Sequence, residues 1–494
     1  MRLAELLGVE GRDGDVEIAG IATDSRAVRA GDVFFALPGA RTDGRRHVAE
    51  ALARGARAVV AGSAVDAPGA VAVVCPEPRA VLGRAAARLA GEPSAALTLV
   101  GVTGTNGKTT TTYLLEAMWR AAGLAAGVIG TIAYRFAGAR RPAALTTPEA
   151  PALQALLGEM RAAGTTHIAL EVSSHALALE RVAGCRFDAA VFTNLTRDHL
   201  DFHGDLENYY LAKARLFLEH LPAGGKSHPV AIVNIDDPAG ERLAASLAVR
   251  CVPVGRHARA AVRPVEVESG LAGTRGCLTV GGERIRFETA LVGAPHVENI
   301  LGAAGAAWAL GLAPEAIARG IATVEPPPGR LEQIPGPGFT VIVDYAHTPD
   351  ALARALEALR PLALGRLITV FGCGGDRDRG KRPLMGEAAA RLSDLVVLTS
   401  DNPRTEDAAG ILADIEAGVR AAGMPPLARP LRGACGYLVE PDRRGAIALA
   451  VELARSGDLV LVAGKGHEDY QIVGTERRHL DDREEVRRAL GALS

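Results

Sequence analysis

Short apolar runs alternate with amphipathic stretches along almost the whole chain. In the first part, runs at 33–37, 58–60 and 71–74 read as strands, and 47–54 carries a helical apolar stripe. The middle part has strand-like runs at 97–102, 127–129, 168–172, 189–192 and 230–233. The last part has them at 341–343, 367–371, 395–398 and 459–462. Strands spaced by helical segments predict an α/β protein with parallel sheets and right-handed crossovers. Two breaks interrupt the pattern. Gly91-Glu92-Pro93-Ser94 precedes the run at 97–102, and proline and glycine clusters at 325–329 and 335–338 bracket Arg330. Such clusters mark turns and linkers. The breaks divide the 494 residues into three expected domains, 1–93, 94–327 and 328–494.

Composition narrows the class. Charged residues are 23%, hydrophobic residues 48%, and the formal net charge is −2. That suits a soluble globular enzyme, and the scattered basic residues offer no stripe for nucleic acid. Cys75, Cys185, Cys251, Cys277, Cys373 and Cys435 form no C-x-x-C and no metal spacing, so free thiols in a reducing cytoplasm are expected. The first residues carry Glu5 and lack a long apolar core, so they do not read as a secretory signal. The longest apolar-leaning stretch, 302–313, is short and interrupted by glycine; it predicts a buried helix rather than a membrane span.

Ligands of open parallel sheets bind beyond the carboxyl ends of the strands, so the residues after each run are the candidates. After 97–102 comes Thr103-Gly104-Thr105-Asn106-Gly107-Lys108-Thr109-Thr110. A glycine turn running into a lysine and two hydroxyls at a helix start is a place for a nucleoside triphosphate. Backbone N–H groups face the anion, Lys108 reaches the outer phosphates, and Thr109 can touch Mg²⁺. The spacing is compressed: Val102 stands where the common form has its first glycine. Polar, glycine-rich loops also follow 168–172 (Ser173-Ser174-His175), 189–192 (residues 193–199), 341–343 (Asp344-Tyr345-Ala346-His347), 367–371 (372–377), 395–398 (400–404) and 459–462 (464–468).

TGTNGKTT, EVSSHAL (171–177), TNLTRDHLDFHG (193–204), YYLAKARLF (209–217), GRLE (329–332), DYAHTPDAL (344–352), FGCGGDRDRGKRP (371–383), DNPRTED (401–407) and AGKGHEDYQ (463–471) occur here in that order. This series resembles the Mur ligase family, the ATP-dependent ligases of peptidoglycan precursors. The resemblance covers nearly the whole chain. It implies a small α/β N-terminal domain that binds a uridine diphosphate, a central P-loop parallel-sheet ATPase domain and a Rossmann-like C-terminal domain for the incoming amino acid. It implies an acyl-phosphate route that adds meso-diaminopimelate to the D-Glu γ-carboxylate of UDP-MurNAc-L-Ala-D-Glu, with Mg²⁺ and ATP, by a cytoplasmic monomer.

Residue by residue, the resemblance assigns ATP to Gly104–Thr110, Asn299, Arg330, Asp344 and His347. It assigns metal to Thr109, Glu171, His199 and Lys213, and catalysis to Lys108, Lys213, His199 and Glu171. Lys213 is implied to be carbamylated by CO₂, which needs a neutral amine; taken alone, it reads as a surface lysine on a helix. Glu171 alone could be a solvated strand end, and His203 reads as structural. Asn299 alone reads as a helix cap, and Asp344 and His347 as caps of a helix beginning near Pro349. The acceptor nucleotide falls to Ser25, and its muramoyl dipeptide to Thr146, Thr147, Ser173 and Arg181, whose fork suits a carboxylate. Diaminopimelate falls to Arg377, Asp401, Asn402, Pro403, Arg404, Gly464 and Glu468. Arg404 offers a cation to the carboxylate that lysine lacks, and Glu468 can receive an ammonium; the same DNPR string alone could be a turn. Two other readings stay open on the residues: a sister ligase of the same family with a different substrate, and an ATP-driven switch.

Overall fold

Three sheets collect the strand-like runs in the computed structural model, which describes residues 1–9, 11–39 and 42–493. The first sheet is all parallel: Gly20–Ala22, Asp32–Ala36, Ala58–Ala61 and Val71–Val74 pair in chain order. Its two faces are covered by separate apolar clusters, one built on Val33, Phe35 and Val60, the other on Phe34 and Val59. That is the alternation expected of a parallel sheet buried on both sides.

The central sheet has eleven strands. Its middle is parallel and continuous, in the spatial order Arg250–Val254, Val230–Asn234, Ala189–Phe192, Thr98–Thr103, His167–Glu171, Ala126–Ile129. The edges depart from the parallel expectation. Ala133–Phe136 and Ala139–Pro142 fold back antiparallel at one edge. Val262–Gly270, Gly273–Val280 and Glu283–Thr289 form an antiparallel ribbon at the other. Their polar alternation and glycine turns escape a search for apolar runs. Hairpins of this kind also cover the edges of the parallel core.

The third sheet runs Glu332–Pro335, Thr340–Asp344, Leu459–Ala463, Leu367–Phe371, Leu395–Leu398, Gly436–Val439, with Glu332–Pro335 antiparallel and the rest parallel. Gly436–Val439 and the hairpin Tyr470–Val473/Glu476–His479 were not expected from the sequence.

Helix Ala294–Ala309 corrects the expectation of a helix at 302–313: it starts earlier and stops before the end of that stretch. Eleven of its sixteen residues are buried, including every one from Ile300 to Ala307, which marks it as a core helix. Among the described residues no helix is long and apolar enough to cross a membrane.

Helix Lys108–Ala121 carries the phosphate-loop residues at its start and is wedged between Ala294–Ala309 and Pro314–Thr323. The approach of Pro314–Thr323 is set by Gly320, where a methyl group would overlap the Met118 backbone. Alanine at 320 gains about 1 kcal/mol in helix propensity. Backbone cannot step aside, however, and overpacking of this kind costs about 1–3 kcal/mol. Gly320→Ala is therefore expected to lower the thermal midpoint measured by calorimetry; a midpoint at or above that of the parent would contradict this packing argument.

Candidate active site

Strands Ala189–Phe192, Thr98–Thr103 and His167–Glu171 lie side by side, so the loops leaving them meet at one sheet edge. The first two loops clamp each other. Asn194 accepts the Asn106 N–H through its side chain at 2.9 Å and the Thr105 N–H through its carbonyl at 2.9 Å. The Thr193 hydroxyl donates to the Asn106 carbonyl at 2.6 Å, and the Thr196 N–H to Thr105 Oγ1 at 3.0 Å. Gly104 and Gly107 have φ of 145° and 89°; a side chain at the first would overlap the Thr193 hydroxyl, and at the second the Asn299 amide. Only glycine meets both demands, the dihedral and the space.

Lys108 folds back on this loop, donating to the carbonyls of Gly104 and Thr105, each at 2.8 Å. Lys213 donates to the same Gly104 carbonyl, also at 2.8 Å. The structure corrects the surface reading of Lys213: the residue is 1% exposed, on the inner side of helix Leu206–Arg215. Burial, and then the charge of Lys108, hold its amine well below the usual lysine range. Burial also lowers Lys108, against an upward pull from Glu171.

Glu171 is buried at its strand end and accepts from Thr109 Oγ1 at 3.1 Å and from the Thr131 hydroxyl and N–H at 2.9 and 3.0 Å. Thr109 and Glu171 are thus paired hard-oxygen donors of the type Mg²⁺ takes. Among the described residues no group of three or more His, Cys, Asp or Glu stands ready to hold a metal. A cation at Thr109 and Glu171 would draw further oxygens from phosphate or from a modified Lys213. His199 sits nearby in the left-handed region with φ of 53°, its Nε2 3.3 Å from Asp198 Oδ2.

A second lobe closes over this edge. Arg330, in the linker, reaches Thr109 Oγ1 at 3.4 Å and lies 4.5 Å from the Tyr345 ring centre. His347 Nε2 is 3.7 Å from Asp198 Oδ2. Burial alone would raise the Asp198 carboxyl, but nearby His347, His199 and Lys381 hold it below its usual range. Asn106 Nδ2 donates to Asp350 at 3.4 Å, Arg354 pairs with Glu298 at 2.8 Å, and Arg197 with Asp378 at 3.0 Å. A cavity of about 250 Å³ is left, lined by Lys108, Thr110, Glu171, Asn299, Asp344 and His347 among others.

The capping readings are corrected. Asn299 lies inside helix Ala294–Ala309, and Thr348 caps Pro349–Leu359 by accepting the Ala351 N–H at 3.2 Å. Asp344 instead accepts the N–H groups of Leu331 and Ala346, at 2.8 and 2.9 Å, which ties the linker to the third sheet.

Thr146 and Ser173 line the same cavity. Thr147 sits behind them, donating to the Glu171 carbonyl at 2.7 Å. The Arg181 fork is engaged by Glu149 at 2.7 Å and the Thr147 carbonyl at 3.1 Å. Ser25 stands apart in the first lobe, donating to Glu50 at 2.7 Å.

The residues expected at the amino acid form their own cluster on the third sheet. Asn402 Oδ1 accepts the Ile472 N–H at 2.9 Å, which turns its Nδ2 toward Glu468 Oε2 at 3.1 Å. Arg404 has φ of 53° and donates to the Gly375 carbonyl at 2.6 Å. Pro403 is buried against Gly375, and Arg377 is exposed at the rim. Gly464 has φ of 116° and faces Asp401. Beneath them, Arg443 and Asp482 make a fully buried bidentate pair with both contacts at 2.7 Å. Lys465, Arg443, Tyr345, Asn194 and Thr131 were missed in the sequence. Lys465, Tyr345 and Asn194 at least lie inside the motif strings; Arg443 and Thr131 carry no local signal.

Family models match three consecutive stretches: "Mur ligase family, catalytic domain" at 17–96, "Mur ligase middle domain" at 102–307 and "Mur ligase, glutamate ligase domain" at 329–466. A curated relative from Geobacter metallireducens is 48% identical, over 97% of this chain and 95% of its own length. The chain belongs to the Mur ligase family. That relative is named UDP-N-acetylmuramoyl-L-alanyl-D-glutamate–2,6-diaminopimelate ligase, as is one from Gloeobacter violaceus, 48% identical over 99% of this chain and 98% of its own. A solved Mur ligase structure with the same name superposes with a TM-score of 0.71 at 34% identity, covering 100% of this chain and 99% of the other. The three-lobed α/β architecture is thus the family's.

His296 gives this Mur ligase a pH dependence. It is buried between the cleft and the linker, and burial followed by the nearby Arg330 charge pushes it down to about 4. The unfolded chain takes up this proton near its ordinary 6.5, so folded stability falls as pH drops from about 6.5 to about 4. The slope from this one group reaches about 1.4 kcal/mol per pH unit. Denaturant titrations across that range should show a shallower decline in His296→Asn; an unchanged slope would remove His296 as a source.

Proposed function

We propose that this chain is an ATP-dependent carboxylate–amine ligase, joining meso-diaminopimelate to the D-Glu γ-carboxylate of UDP-MurNAc-L-Ala-D-Glu. It would do so in the cytoplasm, as a monomer, since one chain supplies the whole cleft. The observation that carries the reading is the phosphate loop facing a second lobe whose strand ends hold the cluster of Arg404, Asn402 and Glu468.

In this reading the substrate carboxylate attacks the γ-phosphorus, ADP leaves, and an acyl phosphate forms. A carboxylate is a poor electrophile; the phosphate gives it a leaving group. The neutral amine then attacks the acyl carbon, and the tetrahedral intermediate expels phosphate and loses a proton to leave the amide. Gly104–Thr110 would cradle the phosphates, with Lys108 exchanging two carbonyl acceptors for phosphate oxygens. Arg330, Asn299, Asp344 and His347 would complete the nucleotide site. Ser25 would hold the uridine nucleotide, and Thr146, Thr147, Ser173 and Arg181 the dipeptide. Arg181 would have to exchange Glu149 for the substrate carboxylate.

Thr109, Glu171, His199 and Lys213 would hold Mg²⁺, which when bound neutralises phosphate charge. Lys213 could join them only as a carbamate, and its buried, proton-poor amine is the state that takes up CO₂. Glu468 would receive the amino acid's ammonium. Arg404, with Asn402, Arg377, Asp401, Pro403 and Gly464 around it, would receive the distal carboxylate. Most of the catalytic effect is positioning and charge neutralisation.

Phosphate release with ATP, Mg²⁺ and UDP-MurNAc-L-Ala-D-Glu should require meso-diaminopimelate, with the product mass rising by one amide-linked residue. Equal use of L-lysine would discard the role given to Arg404. Lys108→Ala should cut turnover by about a hundredfold or more while uridine nucleotide binding, read by calorimetry, persists. Retained ATP-dependent turnover in that variant would sink the assignment.

A further inference from the structure

Lys465 is 0% exposed, beneath the amino-acid cluster. Its ammonium contacts Asn402 Oδ1 at 3.2 Å, Asp401 Oδ1 at 3.4 Å and Glu468 Oε2 at 3.4 Å. Three of the residues proposed to hold diaminopimelate are therefore gathered on one buried cation. An ammonium taken out of water is retained only where it is paired, and here it lies between two carboxylates that would otherwise repel each other. Asp401 is held below the usual carboxylate range: burial would raise it, and Lys465 is the first of the charges that overcome this.

The charge balance has a consequence for selection. Arg443 and Asp482 cancel each other. Of the remaining charges in the cluster, Arg377, Arg404 and Lys465 are matched by Asp376, Asp401 and Glu468. Without Lys465 that balance tips negative by one, and the carboxylates of buried Asp401 and partly exposed Glu468 face whatever enters. An amino-acid end with both an ammonium and a carboxylate would then meet repulsion at its carboxylate. A bare ammonium end, as in lysine, would not.

We propose that Lys465 is a specificity-determining residue that sets the pocket's preference for a substrate end bearing a carboxylate beside its amine. This deepens the reading given under Proposed function and rests on it. Lys465 acts through its neighbours and touches no reacting atom, so it is a positioning residue.

The test is the ratio of kcat/KM for meso-diaminopimelate to that for L-lysine, measured in the full-length enzyme with ATP KM alongside. Lys465→Met should lower the ratio about tenfold or more, mainly through a higher diaminopimelate KM, with ATP KM within about twofold. Lys465→Arg keeps the charge and should retain most of the ratio. Asp401→Asn shifts the balance the other way and should raise the ratio; it decides the matter alone if melting curves show that Lys465→Met does not fold. A purely structural role would lower both amino acids together. A Lys465→Met enzyme with the parent ratio, or an Asp401→Asn enzyme with a lower one, would overturn the proposal. A parent protein that uses neither amino acid would instead overturn the function on which it rests, and this inference with it.

Discussion

The Gly104 carbonyl accepts from two lysines at once, Lys108 and Lys213, each at 2.8 Å. Two unit charges about 4 Å apart repel by about 4 kcal/mol at an effective dielectric near 20, and burial adds to the cost. Charge on one amine therefore disfavours charge on the other. Lys108 has the Glu171 and Asp198 carboxylates to favour its charge. Lys213 has Asp198 against deeper desolvation and the Lys108 charge. The asymmetry favours charge on Lys108, the residue proposed to meet phosphate, over Lys213. This arrangement needs Gly104 in its φ of 145°, and that conformation needs the room Thr193 leaves. The loop, its clamp and the protonation of both lysines are thus one coupled constraint.

The second lobe is held closed by modest contacts. Arg197–Asp378 and Arg354–Glu298 are partly exposed pairs, and such pairs are worth about 1 kcal/mol or less each. Among the described residues the apolar clusters of the central and third sheets are largely separate. A closed form held by weak polar pairs can open to admit a nucleotide at small cost. The linker is tied more firmly to the third sheet, through Asp344 and the Leu331 N–H, than to the central one. Arg330 is thereby tied to the third sheet while its guanidinium reaches Thr109 of the central one.

Much of this was legible in the sequence because parallel strands advertise themselves. The runs at 189–192, 367–371 and 395–398 match the observed strands end for end. The antiparallel edges were not legible, since residues such as Arg263, Glu266, Arg284 and Arg286 alternate with apolar ones and lie half in solvent. At the site, motif strings located the phosphate loop and the acidic strand end. The helical pattern around Lys213 could not say by itself that this lysine faces inward; only the family resemblance placed it at the site. Lys213 reads as solvated until the loop from Thr193 and the turn at Gly104 are folded against its helix. Lys465 sat within a quoted motif, yet nothing local separates a buried lysine from an exposed one. Arg443 is harder still, because its partner Asp482 is brought in by a different helix.

Tyr345 joins the nucleotide cleft to the amino-acid cluster, beside the Gly464 N–H that donates to the Asp344 carbonyl at 3.1 Å. Tyr345 follows strand Thr340–Asp344. Its ring lies 4.5 Å from the Arg330 guanidinium, and its hydroxyl donates to Glu468 Oε1 at 3.4 Å. Arg330 in turn touches Thr109, and Glu468 touches Asn402 and Lys465. A shift of the third sheet relative to the phosphate loop thus moves the cation over the nucleotide and the carboxylate meant for the amine together. Under the proposed reaction, which depends on holding an amine against an acyl phosphate, that link would help to set the distance between the two sites.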